Sequence, residues 1–257
     1  MSGFRAYFEN LKDFLGGDEI FLSADESRHL CGSLRARAGD GVEVFDLAGL
    51  VGECVVESAS QKRAGLRLLR RRQSSRAGRE IILAQALPKG KTFEEIISAA
   101  VQIGASKIVP IISGRTIVRL DAAEGARKAQ KWRARVAESV KQSGNLADFE
   151  VCEPVLLADF LKSPGLFGGA DAAKIVCSLE REKAVPILAA LSESDRGGAV
   201  CVLIGPEGDF SADEYSASYA AGFRPASLGE NVMKCEVAAA FALSAASAYA
   251  ALNNGKI

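Results

Sequence analysis

The chain has a single histidine, His29, in 257 residues. A Ser-His-Asp relay would have to be built on that one imidazole, in a polar N-terminal segment, which argues against such chemistry. Its six cysteines are scattered as Cys31, Cys54, Cys152, Cys177, Cys201 and Cys235. None forms a CxxC pair and there is no HxxxH, so no zinc-type spacing exists and no metal is expected. Most of these thiols sit in apolar stretches and read as reduced core residues. The chain also lacks a G-x-G-x-x-G fingerprint and a phosphate-binding P-loop, which argues against the common dinucleotide and nucleotide sites. No apolar run approaches the roughly 20 residues that cross a bilayer. Residues Met1 to Asn10 lack the basic start and apolar core of a signal peptide. Together these absences predict a cytoplasmic protein.

Net charge is missing too, with 32 basic and 32 acidic side chains. That zero is a sum of unlike parts. Residues 1–60 carry 5 basic and 11 acidic side chains, and residues 142–257 carry 8 and 15. Residues 61–141 carry 19 basic and 6 acidic, a net of 19 − 6 = +13. Such a stretch has the balance of a phosphate-backbone binder, although solvated helix faces give the same count.

What is present is an ordinary globular composition, 48 % hydrophobic and 25 % charged, arranged in two styles. Residues 1–72 read as short strands with close turns. Gly39-Asp40-Gly41 turns into Val42–Phe45, followed by strands at Glu53–Glu57 and Gly65–Leu69. This pattern predicts a small β-barrel. A helix and loop from Asp25 to Ala38 carry Arg28, Arg35 and Arg37. The polar, basic stretch 73–79 reads as a linker. From residue 80 onward, apolar runs alternate with helical patterns. Strands are expected at Ile81–Leu87, Lys107–Ile112, Ala173–Ser178, Val200–Ile204 and Pro225–Leu228. Helices are expected at Thr92–Ile103, Ala123–Gln142, Ser211–Ala221 and Glu236–Leu252, with a short one at Leu156–Leu161. The alternation predicts an α/β domain with a parallel sheet over 80–257.

Two segments in that domain carry chemistry. Val200–Ile204 runs into Gly205-Pro206-Glu207-Gly208, a strand ending in a glycine-rich turn where parallel sheets bind ligands. Ser211 and Glu214 form a capping box that gives the next helix a defined start. A rigid turn with no ligand would look the same. The second segment, Ala226 to Glu236, joins a strand to the last helix. Its mixture of Leu228, Gly229, Val232, Met233 and Lys234 suits an adenine held by main-chain groups and apolar packing. Glu236 sits where a helix dipole favours a carboxylate.

The order of GPEG, a capped helix, Gly222-Phe223, Leu228-Gly229 and the run Val232 to Ala238 resembles the SPOUT methyltransferases. More narrowly the chain is similar to the RsmE family, over nearly its whole length. Leu87–Lys91 and Ile103–Pro110 are similar to the start of that family's catalytic domain. His29-Leu30, Ser33-Leu34-Arg35 and Gly39-Asp40 are similar to its PUA-like RNA-binding barrel. The resemblance implies a trefoil-knotted parallel sheet with helices on both faces and a homodimer. It also implies methyl transfer from S-adenosylmethionine to N3 of one uridine in small-subunit (16S) ribosomal RNA. The implied cofactor contacts are Leu179, Leu203, Ile204, Gly205, Pro206, Glu207, Gly208, Leu228, Gly229, Val232, Met233, Lys234 and Glu236. Lys234 and Glu236 are the catalytic candidates. Arg28, Arg35, Arg37, Lys89, Lys91 and Gln142 are the RNA-binding candidates. Three positions depart from the family pattern: Asp209 replaces a second glycine, Lys234 an arginine, and Asn145 an arginine after Gln142-Ser143-Gly144. Two alternatives share these residues: a SPOUT enzyme acting on another RNA position, and an RNA-binding or ribosome assembly factor with impaired catalysis.

Overall fold

The structure is a computed structural model that describes residues 3–116, 120–180 and 182–253. It divides into two compact units. One comprises the residues up to Arg76 together with Ala137–Phe149; the other comprises Ala77–Val136 and the residues from Glu150 onward.

The first unit is built on a five-stranded mixed sheet. Its elements are β1 (Arg5–Tyr7), β2 (Glu19–Phe21), α1 (Ala24–Ser27), β3 (Gly41–Phe45), β4 (Leu50–Ser58) and β5 (Gly65–Gln73). The strand order is β1-β3-β4-β5-β2, with β1 parallel to β3 and the remaining pairs antiparallel. Alternation places Ile20, Val42, Val44, Leu66 and Leu68 in one core with Leu11 and Leu30. Two strands are longer than the sequence suggests. β5 continues through Arg70, Arg71 and Arg72 because acceptors outside the strand receive them, the Leu11 and Lys12 carbonyls for Arg71 and carboxylates for the other two. Arg70 pairs with Glu53 at 2.8 Å and Arg72 with Glu43 at 3.3 Å. Such cross-strand pairs stabilise a strand that composition alone reads as loop. The expected helix and loop over Asp25–Ala38 resolve into a short helix and a turn. α1, capped by the Ser23 side chain, passes into a wide turn over Arg28–Ser33. Arg35 then takes a left-handed backbone at φ 60. Within this unit Lys141 pairs with both Glu26 and Glu138 at 2.7 Å. The other Glu26 oxygen accepts the Tyr7 N–H at 2.9 Å, so residues 137–149 are tied to β1.

The second unit contains β6 (Ile81–Ala86), α2 (Thr92–Ile103), β7 (Lys107–Ile112), and the residues through Val136 of α3 (Ala122–Ser143). Next come β8 (Glu150–Val151), β9 (Val155–Leu156), α4 (Leu157–Phe160), β10 (Ala173–Cys177), β11 (Val185–Pro186) and α5 (Ile187–Ser194). It ends with β12 (Val200–Ile204), α6 (Ala212–Ala220), β13 (Arg224–Ser227) and α7 (Cys235–Asn253). The sheet runs β11-β13-β10-β12-β6-β7-β8, with β9 beside β7, and every pairing is parallel. β6 and β12 are buried throughout, as continuous apolar runs require. Each fully buried Ile or Leu contributes about 1.5–3 kcal/mol.

α2 buries Phe93, Ile96, Ile97, Ala100 and Val101, one stripe at helical spacing. The basic α3 buries a narrow stripe through Ala129, Trp132 and Val136 while Arg127, Lys131, Arg133 and Arg135 stay exposed. Trp132 meets Phe93 at 4.5 Å. Short two-residue strands and the eight-residue α5 give too little periodicity to be read from sequence. The absence of a bilayer-length apolar run needs correction. α7 has 19 residues and a mean hydropathy of 1.5, which passes that test by length and composition. Alanines, individually weak, sum to that value. The helix packs Cys235, Ala239, Ala242, Leu243, Ala246 and Ala250 into the domain, against α2, α5, β6 and β12.

Candidate functional site

The sheet order decides the site. β13, β10, β12 and β6 are adjacent and parallel, so their carboxyl ends share one edge. That edge therefore gathers Leu179 after β10, Gly205 to Gly208 after β12, and Leu228 and Gly229 after β13. Val232, Met233, Lys234 and Glu236 follow as the chain enters α7. The gathering is bonded: the Cys235 thiol lies 3.7 Å from the Gly205 carbonyl oxygen. Burial pushes that thiol up to about 11, with the Glu207 and Glu236 carboxylates adding to it, so it is no nucleophile at neutral pH. The Leu203 and Ile204 side chains are buried, and both residues pair with β6 in the sheet. Leu179 and Val232 are 55 % and 74 % exposed, open apolar surface at the rim. Apart from its own chain neighbours, no heavy atom of the described residues lies within 4 Å of where a side chain would start at Gly229.

The loop after β12 is a tight turn, with the Asp209 N–H donating to the Pro206 carbonyl at 2.9 Å. Its outer side is held by Arg115, which donates to Gly208 O at 2.8 Å and Phe210 O at 3.4 Å. Both arms of the expected capping box form at Ser211 and Glu214. Glu214 also accepts the Gly114 N–H at 2.6 Å. Glu207 accepts the Lys89 N–H at 2.8 Å, which brings that RNA-binding candidate beside the turn. Lys91 is exposed at the start of α2.

The sequence reading passed over Gln85. It lies on β6, is fully buried, and donates to Ala86 O at 3.0 Å and Gly205 O at 3.4 Å. Its side-chain oxygen is buried without a partner among the described residues. A glutamine inside a buried strand was the available signal, since such groups are normally satisfied. Lys234 is exposed, and its carbonyl accepts the Ala238 N–H at 2.9 Å, so the helical ladder of α7 begins at this residue. Glu236 is half-buried in the first turn. A groove of about 530 Å³ lies elsewhere, lined by Gly78, Arg79, Glu80, Gly168, Gly197, Gly198 and Ala199. It sits at the amino-terminal edge of the sheet, the wrong edge for ligands of a parallel sheet. No cluster of metal-ligating side chains occurs among the described residues.

Comparison with known proteins bears on this edge. Residues 75–247 match the RNA methyltransferase domain family, and residues 22–69 match the RNA methyltransferase PUA domain. The ribosomal RNA small subunit methyltransferase E of Mycobacterium bovis is 30 % identical over 244 residues, covering 93 % of this chain and 89 % of the relative. The chain belongs to the RsmE family. An RsmE relative from Synechocystis is 28 % identical, covering 88 % of this chain and 71 % of its own. The RsmE structure from Neisseria gonorrhoeae, bound to S-adenosylmethionine, superposes with a TM-score of 0.79 at 25 % identity. It covers 94 % of this chain and 95 % of its own. A methyltransferase from Legionella pneumophila, also with S-adenosylmethionine bound, gives 0.81 at 26 % identity and covers 96 % and 98 %. The fold is therefore the SPOUT type, with a PUA domain in the first unit.

The remaining RNA-binding candidates of this RsmE-family chain lie in the first unit. Arg28, Arg35, Arg37 and Gln142 are all exposed. Arg28 is paired with Asp25. Arg35 forms no ion pair among the described residues, and its backbone is left-handed at φ 60. Arg35→Ala is expected to weaken RNA binding and to make the salt slope shallower by roughly 0.7–0.9 for one lost phosphate contact. Binding isotherms at several salt concentrations measure this, and an unchanged slope removes Arg35 from the interface.

Proposed function

We propose that this chain transfers a methyl group from S-adenosylmethionine to N3 of one uridine in small-subunit (16S) ribosomal RNA, acting as a homodimer in the cytoplasm. In this reading residues 1–72 are the RNA-binding barrel, 73–79 a linker and 80–257 the methyltransferase domain. The observation that carries it is the convergence of three loops, after β10, β12 and β13, on one carboxyl edge of the parallel sheet, in a chain of RsmE descent. The residues present fit the cofactor. Leu179, Leu228, Val232 and Met233 supply apolar walls for an adenine ring, and the unmated Gln85 oxygen offers a buried acceptor beside Gly205. The backbone of Leu203 to Gly208 and of Leu228, Gly229 and Lys234 supplies main-chain donors and acceptors. Exposed Val237 and Phe241 on α7 support a homodimer, since an exposed apolar helix face calls for a partner.

When bound, S-adenosylmethionine supplies an electrophilic methyl on a sulfonium. The chain's own residues must do the rest. Uridine N3–H is a weak acid, so N3 gives up its proton to solvent water as it becomes nucleophilic, negative charge spreads to the flanking O2 and O4, and the N3–methyl bond forms as the sulfonium–methyl bond breaks. Lys234 is the cation placed to stabilise those oxygens. Glu236, anchored in the first turn of α7, holds the cofactor or the base in line. Arg28, Arg35, Arg37, Lys89, Lys91 and Gln142 contact RNA phosphates or sugar and set register rather than sequence. A uridine in structured RNA must be splayed out to reach such an edge.

Methyl transfer to purified small subunits and to naked 16S RNA, followed by nucleoside analysis, tests the proposal. N3-methyluridine at one position is expected. A different methylated nucleoside would instead establish a SPOUT enzyme with another target. No S-adenosylmethionine binding at millimolar concentration would leave an RNA-binding or assembly factor as the function.

A further inference from the structure

Asp209 has φ 59, one of two non-glycine residues with positive φ among the described residues. That region is ordinarily glycine's, and aspartate is among the few side chains that enter it at modest cost. The carboxylate explains how the cost is met here. Its Oδ1 accepts the Tyr215 hydroxyl at 2.6 Å, and Tyr215 is only 3 % exposed. The same oxygen lies 3.2 Å from the point where a side chain on Gly205 would begin, so the contact spans the turn from its last residue to its first. The Tyr215 hydroxyl also lies 3.5 Å from the Cys177 carbonyl oxygen, at the end of β10. Tyr215 itself is anchored edge-on against Phe210 at 5.6 Å and stacked on Tyr219 at 5.9 Å. Tyr219 donates in turn to Glu180. One buried phenol thus joins the loop after β12 to the end of β10.

We propose that Asp209 and Tyr215 are a positioning pair, a latch that holds the Gly205–Phe210 loop in its left-handed turn and in register with the end of β10. Neither residue touches the reacting atoms. Both act through the backbone that holds the cofactor. The proposal rests on the methyltransferase reading for its ligand, while the latch itself is a property of the ligand-free protein.

Four variants separate the hydrogen bond from the backbone strain: Tyr215→Phe, Asp209→Ala, Asp209→Gly and the double variant Asp209→Gly with Tyr215→Phe. Calorimetry with S-adenosylmethionine is expected to give about tenfold weaker binding for Tyr215→Phe and for Asp209→Ala, the loss of one hydrogen bond to a charged group. Asp209→Gly adopts the turn without strain and should recover most of that loss, alone and in the double variant. In kinetics the KM for cofactor should rise with little change in kcat, because the latch orients the loop and not the transition state. Hydrogen exchange of amides 207–210 in the ligand-free protein reads the latch directly, Pro206 having no amide. Exchange should quicken about tenfold in Tyr215→Phe and Asp209→Ala and slow again when glycine is introduced. Unchanged exchange in Tyr215→Phe overturns the latch. Equal exchange in Asp209→Ala and Asp209→Gly overturns its strain component, and that comparison leaves the buried tyrosine in place. Failure of the wild-type chain to bind S-adenosylmethionine overturns the methyltransferase reading instead, and leaves the exchange result standing on its own.

Discussion

Replacing Lys234 by alanine is expected to slow methyl transfer by about 10²–10³-fold, the usual cost of removing one group aimed at developing charge. S-adenosylmethionine binding should change by less than about tenfold, because in the proposed reading the cofactor is held chiefly by main-chain groups of the three loops. The split follows from where charge appears. Deprotonation of N3 puts negative charge on the uracil oxygens only as the reaction proceeds, so a cation there acts on the transition state more than on either bound reactant. Lys234 is exposed at the start of α7, which leaves its ammonium free to reach a base entering from solvent. Lys234→Arg should retain more activity than alanine, since charge is kept and only the geometry of donation changes. Single-turnover transfer with labelled cofactor checks both variants. Full activity in Lys234→Ala would exclude the residue from the mechanism.

Replacing Arg79 by methionine should destabilise the protein by about 2–3 kcal/mol. That is below the ~3–5 kcal/mol of a fully buried pair, because Asp195 keeps 19 % of its side chain exposed. Arg79, just before β6, is 9 % exposed and contacts Asp195 at 2.8 Å, at the end of α5. Asp195 also accepts from the Tyr249 hydroxyl of α7 at 2.9 Å and from the Gly197 N–H at 2.9 Å. The cluster therefore ties one strand to two helices. The Arg79 hydrogen bond, against some opposing burial, lowers the Asp195 carboxyl to about 2 from an ordinary 3.8. A depressed carboxyl pKa stabilises the fold above its unfolded value and loses that contribution as pH falls through the folded one. The stabilisation from Asp195 is thus full above about pH 4 and fades between there and about pH 2. Urea unfolding at neutral pH measures the first effect. Comparing wild type with Arg79→Met across the acid range measures the second, and parallel acid curves would show that the pair carries no pH-linked stability.

These expectations draw unequally on sequence and structure. Long apolar runs bounded by glycine, such as Val200–Ile204 before Gly205, are legible because a strand buried on both faces must be apolar at every position. The helix Thr92–Ile103 is equally legible, since its apolar residues recur at helical spacing and Gly104 ends it. The arginines of β5 were unreadable as strand because their partners, Glu53 and Glu43, lie on other strands. α7 hid its length and hydropathy in alanines. Gln85 passed for an ordinary strand residue because its partner, Gly205, is 120 positions away.

By itself the sequence determined an α/β domain after a β-rich N-terminal segment, the family, and the loops from which a cofactor site could be made. Those properties are written locally, in periodicity, turn residues and caps. The tertiary structure alone decided which loops meet, because β12 lies between β10 and β6 and that order is set by packing between distant strands. It also decided what one departure from the family pattern means. At Asp209 the sequence shows a missing glycine; the folded chain shows a carboxylate that meets a left-handed backbone and a buried phenol from the following helix.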